Sequence, residues 1–398
     1  MATEMSPEEK LALVKSGLPE ILHGEILEQV ILKEKRSLEI YWGTATTGRP
    51  HIAYFVPTLH IAKFLRAGCK VKVLLADTHG FLDNLKAPIE LIEHRAEYYK
   101  KVTQSLLRAV GVSLDQVEFI LGSDYQYSRA YRFDLDKLMT QITVNGAQHA
   151  GAEVVKQTGT SPLLSSLQYP LMQALDEEYL KVDAQFGGVD QRKIFAFAQD
   201  VLPKINYKVR AHLMNTMMPG LAGGKMSASD PNSKIDLLDT PDQVTKKLRK
   251  AECAQRVTEG NGIIGLVEHI LLPFANLSAS SSKGEFAVER HEGRPLIYSD
   301  IAKLKADFEA DVLTPQLLKP AVTKGLNAML APIQAEFQAS KEWQALEARA
   351  YPVEKKPEKF KKEKVKKENR PAVHVKPDGG VEGEGKESVE LGFEKLAV

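Results

Sequence analysis

The chain has 398 residues, 43% of them hydrophobic, and its 53 basic and 52 acidic residues leave a net charge of +1. This length predicts two domains and a tail, while the near-neutral charge excludes nucleic-acid binding through the overall field. Cys69 and Cys253 are too few for a disulfide framework or a metal site, and no apolar run approaches the roughly 18 residues of a membrane span. Residues 1–10 lack a targeting pattern, so the sequence predicts a cytosolic protein.

The first third of the chain alternates between helical and extended patterns. Residues 7–32 carry apolar side chains at helical spacing and predict an N-terminal helical segment over residues 1–34. Further along, the apolar patterns predict strands and helices in turn: strands over 37–42, 70–76 and 117–121, and helices over 52–67 and 88–110. Such alternation is typical of crossover units in a parallel sheet.

The middle of the chain continues this pattern as far as a Gly-rich loop. A strand over 181–186 ends in Gly187-Gly188, and the surrounding patterns predict helices over 134–157, 161–176 and 190–202. Residues 35–235 are therefore predicted to form one Rossmann-like α/β domain. It would be a doubly wound parallel sheet with a helical insertion at about 130–165.

The remainder of the chain has a different composition. Only helices are expected after Pro231, so residues 236–350 are predicted to form an all-α domain; its helices would cover 241–251, 265–274, 299–310, 314–328 and 331–348. Residues 354–370 hold eight Lys and one Arg against four Glu, and residues 371–398 hold three Lys against six acids. We therefore expect a flexible tail over 351–398 that is Lys-rich and then acidic.

A turn of small residues runs from the first predicted sheet strand to His51. Gly43 and Thr44 let a nucleotide approach the backbone, and Pro50 favours a helix whose first N–H groups attract phosphate. His51 and Tyr54, three residues apart, share a face of that helix. His51 can donate a hydrogen bond to phosphate oxygens; the alternative is a histidine that only caps the helix.

A second short motif lies in the Gly-rich loop and reads Lys225-Met226-Ser227-Ala228-Ser229. Lys225 beside two serines predicts a cationic clamp for negative charge that develops on phosphorus. The preceding Gly223 and Gly224 can absorb the dihedral changes of loop closure. A solvent-exposed turn is the alternative interpretation.

A polar stripe is predicted on the helix over 161–176. Tyr169, Gln173 and Asp176 follow each other by four and three residues, with Pro170 expected where the helix starts. Gln191 and Tyr41 can reach the same crevice at the carboxyl edge of the sheet. This set suits a ligand with an ammonium and a hydroxyl group, and a helix face exposed to solvent is the alternative. Asp77 and His79 either line the pocket or cap the following segment.

The two motifs resemble the signature sequences of class I aminoacyl-tRNA synthetases, with Tyr54 replacing a His and Ala228 replacing a Lys. The resemblance implies attack of an amino-acid carboxylate on the α-phosphate of ATP, with Mg²⁺ accompanying the nucleotide and no structural metal. It implies two overlapping sets of residues: catalytic His51, Tyr54, Lys225, Ser227 and Ser229, and ATP-binding Gly43, Thr44, His51, Lys225 and Met226. Because Ala228 removes one cation, Lys225 would carry more of the clamp's charge.

Residues 8–350 resemble the tyrosyl-tRNA synthetases of the eukaryotic and archaeal type, above all around 76–84, 166–183 and 183–193. The resemblance implies L-tyrosine, ATP and tRNA(Tyr) as partners, and a homodimer formed through the insertion. By the same resemblance, Tyr41 and Asp176 would hold the phenolic hydroxyl of tyrosine. Its α-ammonium would be held by three residues: Tyr169, Gln173 and Gln191.

The resemblance also identifies residues 236–350 with an anticodon-binding domain. Its first predicted helix carries a basic cluster of Lys246, Lys247, Arg249 and Lys250. These side chains could contact tRNA phosphates, act as a nuclear-import signal for a minor nuclear pool, or simply face solvent. The Lys-rich part of the tail is either an RNA tether or a solubilising segment.

Two other functions remain open at the level of sequence. A tryptophanyl-tRNA synthetase would share the architecture, but Tyr41 together with Asp176 argues against it. A relative that binds RNA without catalysing the reaction is favoured only by Ala228. Pyrophosphate exchange separates all three, because a non-catalytic relative would bind tRNA and show no exchange.

Overall fold

The computed structural model describes residues 5–83, 86–155, 161–224, 226, 233–279, 283–290 and 292–352. The chain divides into two compact units, Met1–Val353 and Glu354–Val398, and the described residues all belong to the first. The predicted flexible tail over 351–398 therefore falls outside the described residues, except for Tyr351 and Pro352. No helix among the residues described is both long and apolar enough to cross a bilayer.

A six-stranded sheet with the order β1-β6-β5-β2-β3-β4 forms the centre of the first unit. Its strands are β1 Glu20–Leu22, β2 Glu39–Ala45, β3 Lys70–Ala76, β4 Val117–Leu121, β5 Ala184–Gly188 and β6 Ala211–Asn215. Strands β2 to β6 pair in parallel, and only β1 is antiparallel, against β6. Because β3 and β4 extend from one side of β2 and β5 and β6 from the other, the fold is doubly wound, as predicted. The switch point lies between β2 and β5, where such folds bind ligands.

The helices of this part connect the strands in chain order. Their bounds are α1 Pro7–Lys15, α2 Gly24–Glu28, α3 Phe55–Arg66, α4 Asp77–Leu82, α5 Ile92–Ala109, α6 Ser123–Gln126, α7 Arg129–Met139, α8 Val144–Gly151, α9 Leu164–Tyr179 and α10 Arg192–Val201. Short 3₁₀ turns precede α3 (Ile52–Tyr54), α5 (Ile89–Leu91) and α10 (Val189–Gln191), and another follows α10 (Leu202–Ile205). The insertion between β4 and α9 thus consists mainly of α7 and α8.

The N-terminal segment is not the continuous helix that the periodicity predicts. Helix α1 ends at Lys15, and Gly17 then takes a left-handed backbone conformation with φ +75°. The chain continues into β1, which pairs through Glu20–Leu22 with β6. The sequence analysis predicted neither of these two strands. The edge of β6 would otherwise have unpaired N–H and C=O groups. Residues 20–22 pair with these groups as a strand, and this pairing prevails over the helical spacing of the sequence.

Two helix boundaries in the insertion also differ from the prediction. The helix expected over 134–157 is divided in two, since the Thr143 hydroxyl accepts from the Gly146 amide at 3.1 Å and starts α8. Pro170 lies inside α9 rather than at its start, because α9 already begins at Leu164. A proline within a helix removes one backbone hydrogen bond but leaves the rest of the ladder intact where tertiary packing supports it.

The C-terminal part is mainly helical, but it also contains a hairpin that the sequence analysis did not predict. Its elements are α11 Pro241–Lys250, α12 Gly262–Leu266, a π-turn Val267–Leu271, α13 Leu272–Ser278, β7 Phe286–Val288, β8 Leu296–Tyr298, α14 Ile301–Glu309, α15 Pro315–Ala339 and α16 Lys341–Ala350. The break expected near residue 330 is absent. Helix α15 runs through Pro332 because its Met329, Leu330 and Ile333 are buried in the core.

One hydrophobic core joins the sheet to the C-terminal helices. It contains residues of β2, β3, α3 and α5 together with residues of α11 to α16. Helices α15 and α16 pack on α5, where the Ser105 hydroxyl donates to Glu336 at 2.7 Å and Lys101 pairs with Glu342 at 3.1 Å. The end of the described chain is therefore held close to the end of β2.

Candidate active site

A cavity of about 370 Å³ opens at the carboxyl ends of β2, β3, β5 and β6. It brings together most of the residues that the sequence analysis selected: Tyr41, Gly43, Thr44, His51, Tyr54, His79, Tyr169, Gln173, Asp176, Gln191 and Met226. Asp77 is not among its lining residues. Its Oδ1 instead accepts a hydrogen bond from the Ser123 amide at 3.0 Å, at the start of α6.

Asp176 lines the cavity and is fully buried, and the part of the cavity around it is called the Asp176 end below. Three side chains donate hydrogen bonds to its Oδ1: the Tyr125 hydroxyl at 2.8 Å, and the Gln126 amide and the Tyr131 hydroxyl at 2.9 Å each. Burial raises the pKa of Asp176 to about 7, while these donors oppose that rise. The carboxylate is thus held in one orientation and poised between its two protonation states near neutral pH.

His79 also lies beside this carboxylate. Its Nε2 lies 4.0 Å from Asp176 Oδ2, and burial lowers the pKa of the imidazole to about 4. His79 is therefore neutral at pH 7, and the contact is not an ion pair. Its ring stands perpendicular to that of Tyr169 with the centroids 4.6 Å apart.

The remaining polar residues form a second group along α9. The Gln173 amide donates to Gln191 Oε1 at 3.1 Å, and the Gln191 amide in turn donates to Asp190 at 3.3 Å. The buried Tyr41 hydroxyl lies 3.4 Å from the Gln173 carbonyl oxygen. Tyr41, Gln173 and Asp176 therefore face the same cavity from β2 and α9. An amide-rich wall next to a carboxylate can bind a cationic group and a hydroxyl group at once.

Gly187 and Gly188 are the last residues of β5, just before the turn that carries Gln191. A Cβ atom added to Gly188 would lie 2.6 Å from Asp190 Oδ1 and 2.7 Å from Met217 Sδ. Both contacts are closer than real Cβ atoms approach, so a side chain here would displace the two cavity-lining residues. The absence of a side chain at Gly188 therefore leaves the space that Asp190 and Met217 occupy.

His51 lines the cavity too, and the part of the cavity around it is called the His51 end below. His51 is 8% exposed, and its extended backbone forms an antiparallel bridge with Asp236, next to the hydrogen bond from the Ile52 amide to the Ile235 carbonyl at 2.9 Å. The helix after it begins as the 3₁₀ turn Ile52–Tyr54 and continues as α3. This end of the site is thus anchored to the chain segment that leads into α11.

Tyr54 is held by packing as well as by a hydrogen bond. Its hydroxyl lies 3.2 Å from Thr44 Oγ1, and its ring makes edge contacts with Trp42, His51 and Tyr99 at centroid distances of 5.7 to 6.2 Å. Burial raises the pKa of the phenol, so it remains neutral at physiological pH. Tyr54 therefore fixes the ring of His51 and the side chain of Thr44.

The lysine motif is only partly described. Lys225, Ser227 and Ser229 lie outside the described residues, as does Ala228. Met226 is buried, lines the cavity, and donates its amide to the Met218 carbonyl at 3.1 Å. The two preceding glycines have φ +77° and +66°, the left-handed conformation that favours glycine. Met226 is therefore the described member of the motif, and it lines the same cavity.

The basic cluster lies on α11, outside the cavity. Lys246, Arg249 and Lys250 are exposed, whereas Lys247 pairs with Asp239 at 2.5 Å. Arg249 also lines a groove between α11 and α15, together with Lys319 and Lys324. The Lys319 ammonium donates to the Arg249 and Ala251 carbonyl oxygens at 3.1 and 2.8 Å, which links the two helices.

Sequence reasoning missed the residues that surround Asp176. Tyr125 and Gln126 follow β4 directly, and Tyr131 comes from α7. Their spacing from Asp176 in sequence, 45 to 51 residues, contains no periodic signal. The one available indication was their position just after a parallel strand, because such loops meet at the edge of the sheet that binds ligands.

Comparison with known proteins agrees with this geometry. Residues 33–331 match the family model described as tRNA synthetases class I (W and Y). A cytoplasmic tyrosine–tRNA ligase of Saccharomyces cerevisiae is 48% identical over 369 residues, which are 92% of this chain and 93% of the relative. That of Danio rerio is 50% identical over 88% of this chain, and the match spans 65% of the fish protein.

Solved structures give the same result. A tyrosyl-tRNA synthetase from Archaeoglobus fulgidus, determined in complex with L-tyrosine, has a TM-score of 0.75 and 35% identity over 83% of this chain and 99% of its own. One from Pyrococcus horikoshii, also with L-tyrosine, has a TM-score of 0.79 and 28% identity over 86% of this chain and 99% of its own. A tryptophanyl-tRNA synthetase from Giardia lamblia is 18% identical with a TM-score of 0.61, so that likeness concerns the fold alone. The tyrosine–tRNA ligases described above are identical to this chain at about half of the aligned residues, and the chain belongs to the class I tRNA synthetases of the tryptophan and tyrosine family.

Proposed function

We propose that this chain is a tyrosine–tRNA ligase that forms tyrosyl-adenylate in the cavity between Asp176 and His51. A carboxylate oxygen of tyrosine attacks the α-phosphorus of ATP, the bond to the β-phosphate breaks, and pyrophosphate leaves. A ribose hydroxyl of the terminal adenosine of tRNA then attacks the tyrosyl carbonyl carbon, and AMP leaves. The observation that carries the proposal is a buried carboxylate in the same cavity as the loop at His51.

Selection of tyrosine is assigned to the Asp176 end. Tyr41 and Asp176 are proposed to bind the phenolic hydroxyl, and Tyr169, Gln173 and Gln191 the α-ammonium. A buried carboxylate favours a ligand that donates a hydrogen bond, because phenylalanine would leave its acceptor capacity unused. The neutral His79 gives this end a polar wall without a charge that would compete for Asp176.

Activation of ATP is assigned to the His51 end. Gly43, Thr44, His51 and Met226 are proposed to contact the nucleotide, with Tyr54 positioning His51 and Thr44. Lys225, Ser227 and Ser229, outside the described residues, are proposed to close over the phosphates. No side chain acts as a nucleophile, so rate enhancement comes from positioning and from donors aimed at the charge on phosphorus.

Mg²⁺ is proposed to enter with ATP rather than to reside in the protein. The part of the chain that the structure describes has no group of three His, Cys, Asp or Glu side chains that could hold a metal ion. Magnesium commonly keeps several waters and binds substrate phosphates, so a pre-formed protein cage is not required.

The C-terminal helices, residues 236–350, are proposed to bind the anticodon part of tRNA(Tyr). Exposed Lys246, Arg249 and Lys250 on α11 supply positive charge beside the groove that Lys319 and Lys324 also line. Replacing the three α11 side chains by Ala should lower tRNA charging and leave pyrophosphate exchange unchanged. An equal loss in both assays would count against this assignment. The cytoplasm is the proposed location, as the relatives' names state for those proteins.

A homodimer through the insertion is proposed from its exposed apolar side chains. Leu164 is 85% exposed at the start of α9 and Val144 is 60% exposed at the start of α8, with exposed Phe133 and Met139 on α7. A second copy would remove this surface from water. Leu164→Arg with Val144→Lys should give a monomer in sedimentation analysis, and Ile297→Lys, at an exposed position on β8, should leave the dimer intact. A wild-type monomer at micromolar concentration would contradict the proposal.

The experiment that tests the function is ATP–pyrophosphate exchange with each of the twenty amino acids. We expect exchange with tyrosine alone, and tRNA charging to follow it. Exchange with tryptophan instead would identify the other branch of the family. Binding of tRNA without any exchange would identify a non-catalytic relative.

A further inference from the structure

The last residues that the structure describes lie against the loop between β2 and His51. The Tyr351 hydroxyl, just after α16, donates to the Gly48 carbonyl oxygen at 3.1 Å and lies 3.4 Å from the Thr47 carbonyl oxygen. We call residues 46–50 the β2–His51 loop. Thr47 lines the cavity, so this contact reaches the wall of the site from outside.

Helix α5 supports the same two carbonyl groups. Arg95 donates to the Thr47 carbonyl oxygen at 2.7 Å and, through Nε, to the Ala350 carbonyl oxygen at 3.1 Å. The Tyr99 hydroxyl donates to the Gly48 carbonyl oxygen. Arg95 therefore connects the β2–His51 loop directly to the end of α16.

The Tyr351 ring holds the cations of this region together. The guanidinium carbons of Arg49 and Arg95 lie over it at 5.1 and 4.9 Å from the ring centroid, within the range of cation–π attraction. Arg49 also pairs with Glu347 on α16. Tyr98 adds an edge contact at 5.3 Å between ring centroids. Tyr351 is thus the common neighbour of the loop, α5 and α16.

Peptide geometry gives these contacts a consequence for the site. In a trans peptide the carbonyl of one residue and the N–H of the next point in opposite directions. Fixing the carbonyls of Thr47 and Gly48 toward α5 and Tyr351 therefore directs the amides of Gly48 and Arg49 away from them. The same contacts restrain the chain three residues before His51.

We propose that Tyr351 is a positioning residue for adenylate formation: from the C-terminal end of the helical part, it fixes the β2–His51 loop in the conformation that receives the phosphates of ATP. The inference rests on the proposed function and adds to it a residue about 300 positions away in sequence from the loop. It concerns the nucleotide and not tyrosine, because none of these contacts involves the Asp176 end of the cavity.

The test is Tyr351→Phe in the full-length chain. The ring and its contacts remain, while the hydroxyl and its carbonyl contacts are lost. A hydrogen bond of this kind is worth about a fivefold change in an equilibrium, so we expect KM for ATP in exchange to rise about fivefold. Tyr351→Ala also removes the contacts with Arg49 and Arg95 and should raise it by more than about tenfold. Tyrosine binding without ATP, measured by equilibrium dialysis, should not change in either variant.

The matched control is Tyr298→Phe. Tyr298 is a buried tyrosine of the helical part whose hydroxyl donates to Asp307 at 3.1 Å, far in the chain from the loop. It should keep the wild-type KM for ATP, and thermal unfolding of all three variants reports any general loss of stability. An unchanged KM for ATP in both Tyr351 variants, or an equal loss of tyrosine binding, would overturn the inference. Absence of tyrosine-dependent exchange in the wild-type protein would instead overturn the proposed function.

Discussion

The two ends of the cavity are held in place by different means. At the Asp176 end, three side chains from α6 and α7 donate to one buried carboxylate oxygen. At the His51 end, backbone carbonyls of the β2–His51 loop accept from side chains of α5 and from Tyr351. Where one charged group binds the ligand, losing that group or one of its hydrogen bonds directly weakens binding. Where several side chains hold a loop by its carbonyl groups, the remaining contacts still hold the loop after one is lost. Single substitutions should therefore have larger effects at the first end than at the second.

The largest effect is expected from Asp176→Asn. The amide is nearly isosteric but lacks the charge that accepts a hydrogen bond from a phenol. Hydrogen bonds to charged groups are the strong ones, so kcat/KM for tyrosine in pyrophosphate exchange should fall on the order of 100-fold. Discrimination against phenylalanine should fall with it.

The matched control is the neighbouring Glu177→Gln. Glu177 is equally buried but contacts His212, at 2.7 Å, and does not line the cavity. It should lower the melting temperature and keep the ratio of tyrosine to phenylalanine activation. Retained discrimination in Asp176→Asn would contradict the role of Asp176 in binding the phenol.

The second expectation is that kcat/KM for tyrosine depends on pH, with a midpoint near pH 7. Because burial raises the pKa of Asp176 to about 7, kcat/KM for tyrosine should rise with pH through this value as the carboxylate ionises. Tyr131→Phe removes a donor that favours the ionised form, so the midpoint should move upward. A pH profile that is flat between 6 and 8, or one unaffected by Tyr131→Phe, would contradict this account.

The raised pKa of Asp176 makes the stability of the fold change with pH in the direction opposite to activity. The folded protein binds a proton at Asp176 more tightly than the unfolded chain, whose carboxyl titrates near 3.8. Its contribution to the free energy of unfolding is therefore fully present below about pH 4 and is lost as the pH rises through about 7. Activity and this contribution to stability should change in opposite directions over that range.

The smallest effect is expected from Tyr54→Phe at the His51 end. The hydroxyl contacts Thr44 at 3.2 Å, while the ring contacts with His51 and Tyr99 remain in the variant. Loss of one neutral hydrogen bond should slow adenylate formation about two- to fivefold in single-turnover measurements. A loss of 100-fold would instead assign the Tyr54 hydroxyl a direct contact with the reacting phosphate.

The sequence identified the residues that line the cavity better than those that hold them in place. Tyr169, Gln173 and Asp176 share a helical stripe, and such a period is visible without a structure. Their supports, Tyr131 on α7 and Gln126 after β4, are brought to Asp176 by topology alone. No local pattern records that approach.

The sequence analysis was also wrong where an element forms only through contacts with a segment distant in sequence. The apolar run of β3 was predicted with the bounds that the structure has, because a strand inside a parallel sheet is apolar on both faces. The bounds of β4, which lies at the edge of the sheet, were also predicted correctly. The short β1 exists only because β6 offers it an open edge, and residues 7–32 carried a helical period instead. The supports of the β2–His51 loop were equally invisible, since backbone carbonyls leave no mark on the sequence.

Strand β1 has a consequence for how the protein tolerates shortening. Its three residues pair with the outer edge of β6, Glu20 opposite Met214 and Leu22 opposite His212. A chain that began at Ser37 would keep every cavity-lining residue, yet it would leave the N–H and C=O groups of β6 open to another molecule. Unprotected edges of this kind join strand to strand between copies. We therefore expect such a truncated chain to fail by aggregation rather than by loss of tyrosine binding, and to do so more readily at high protein concentration.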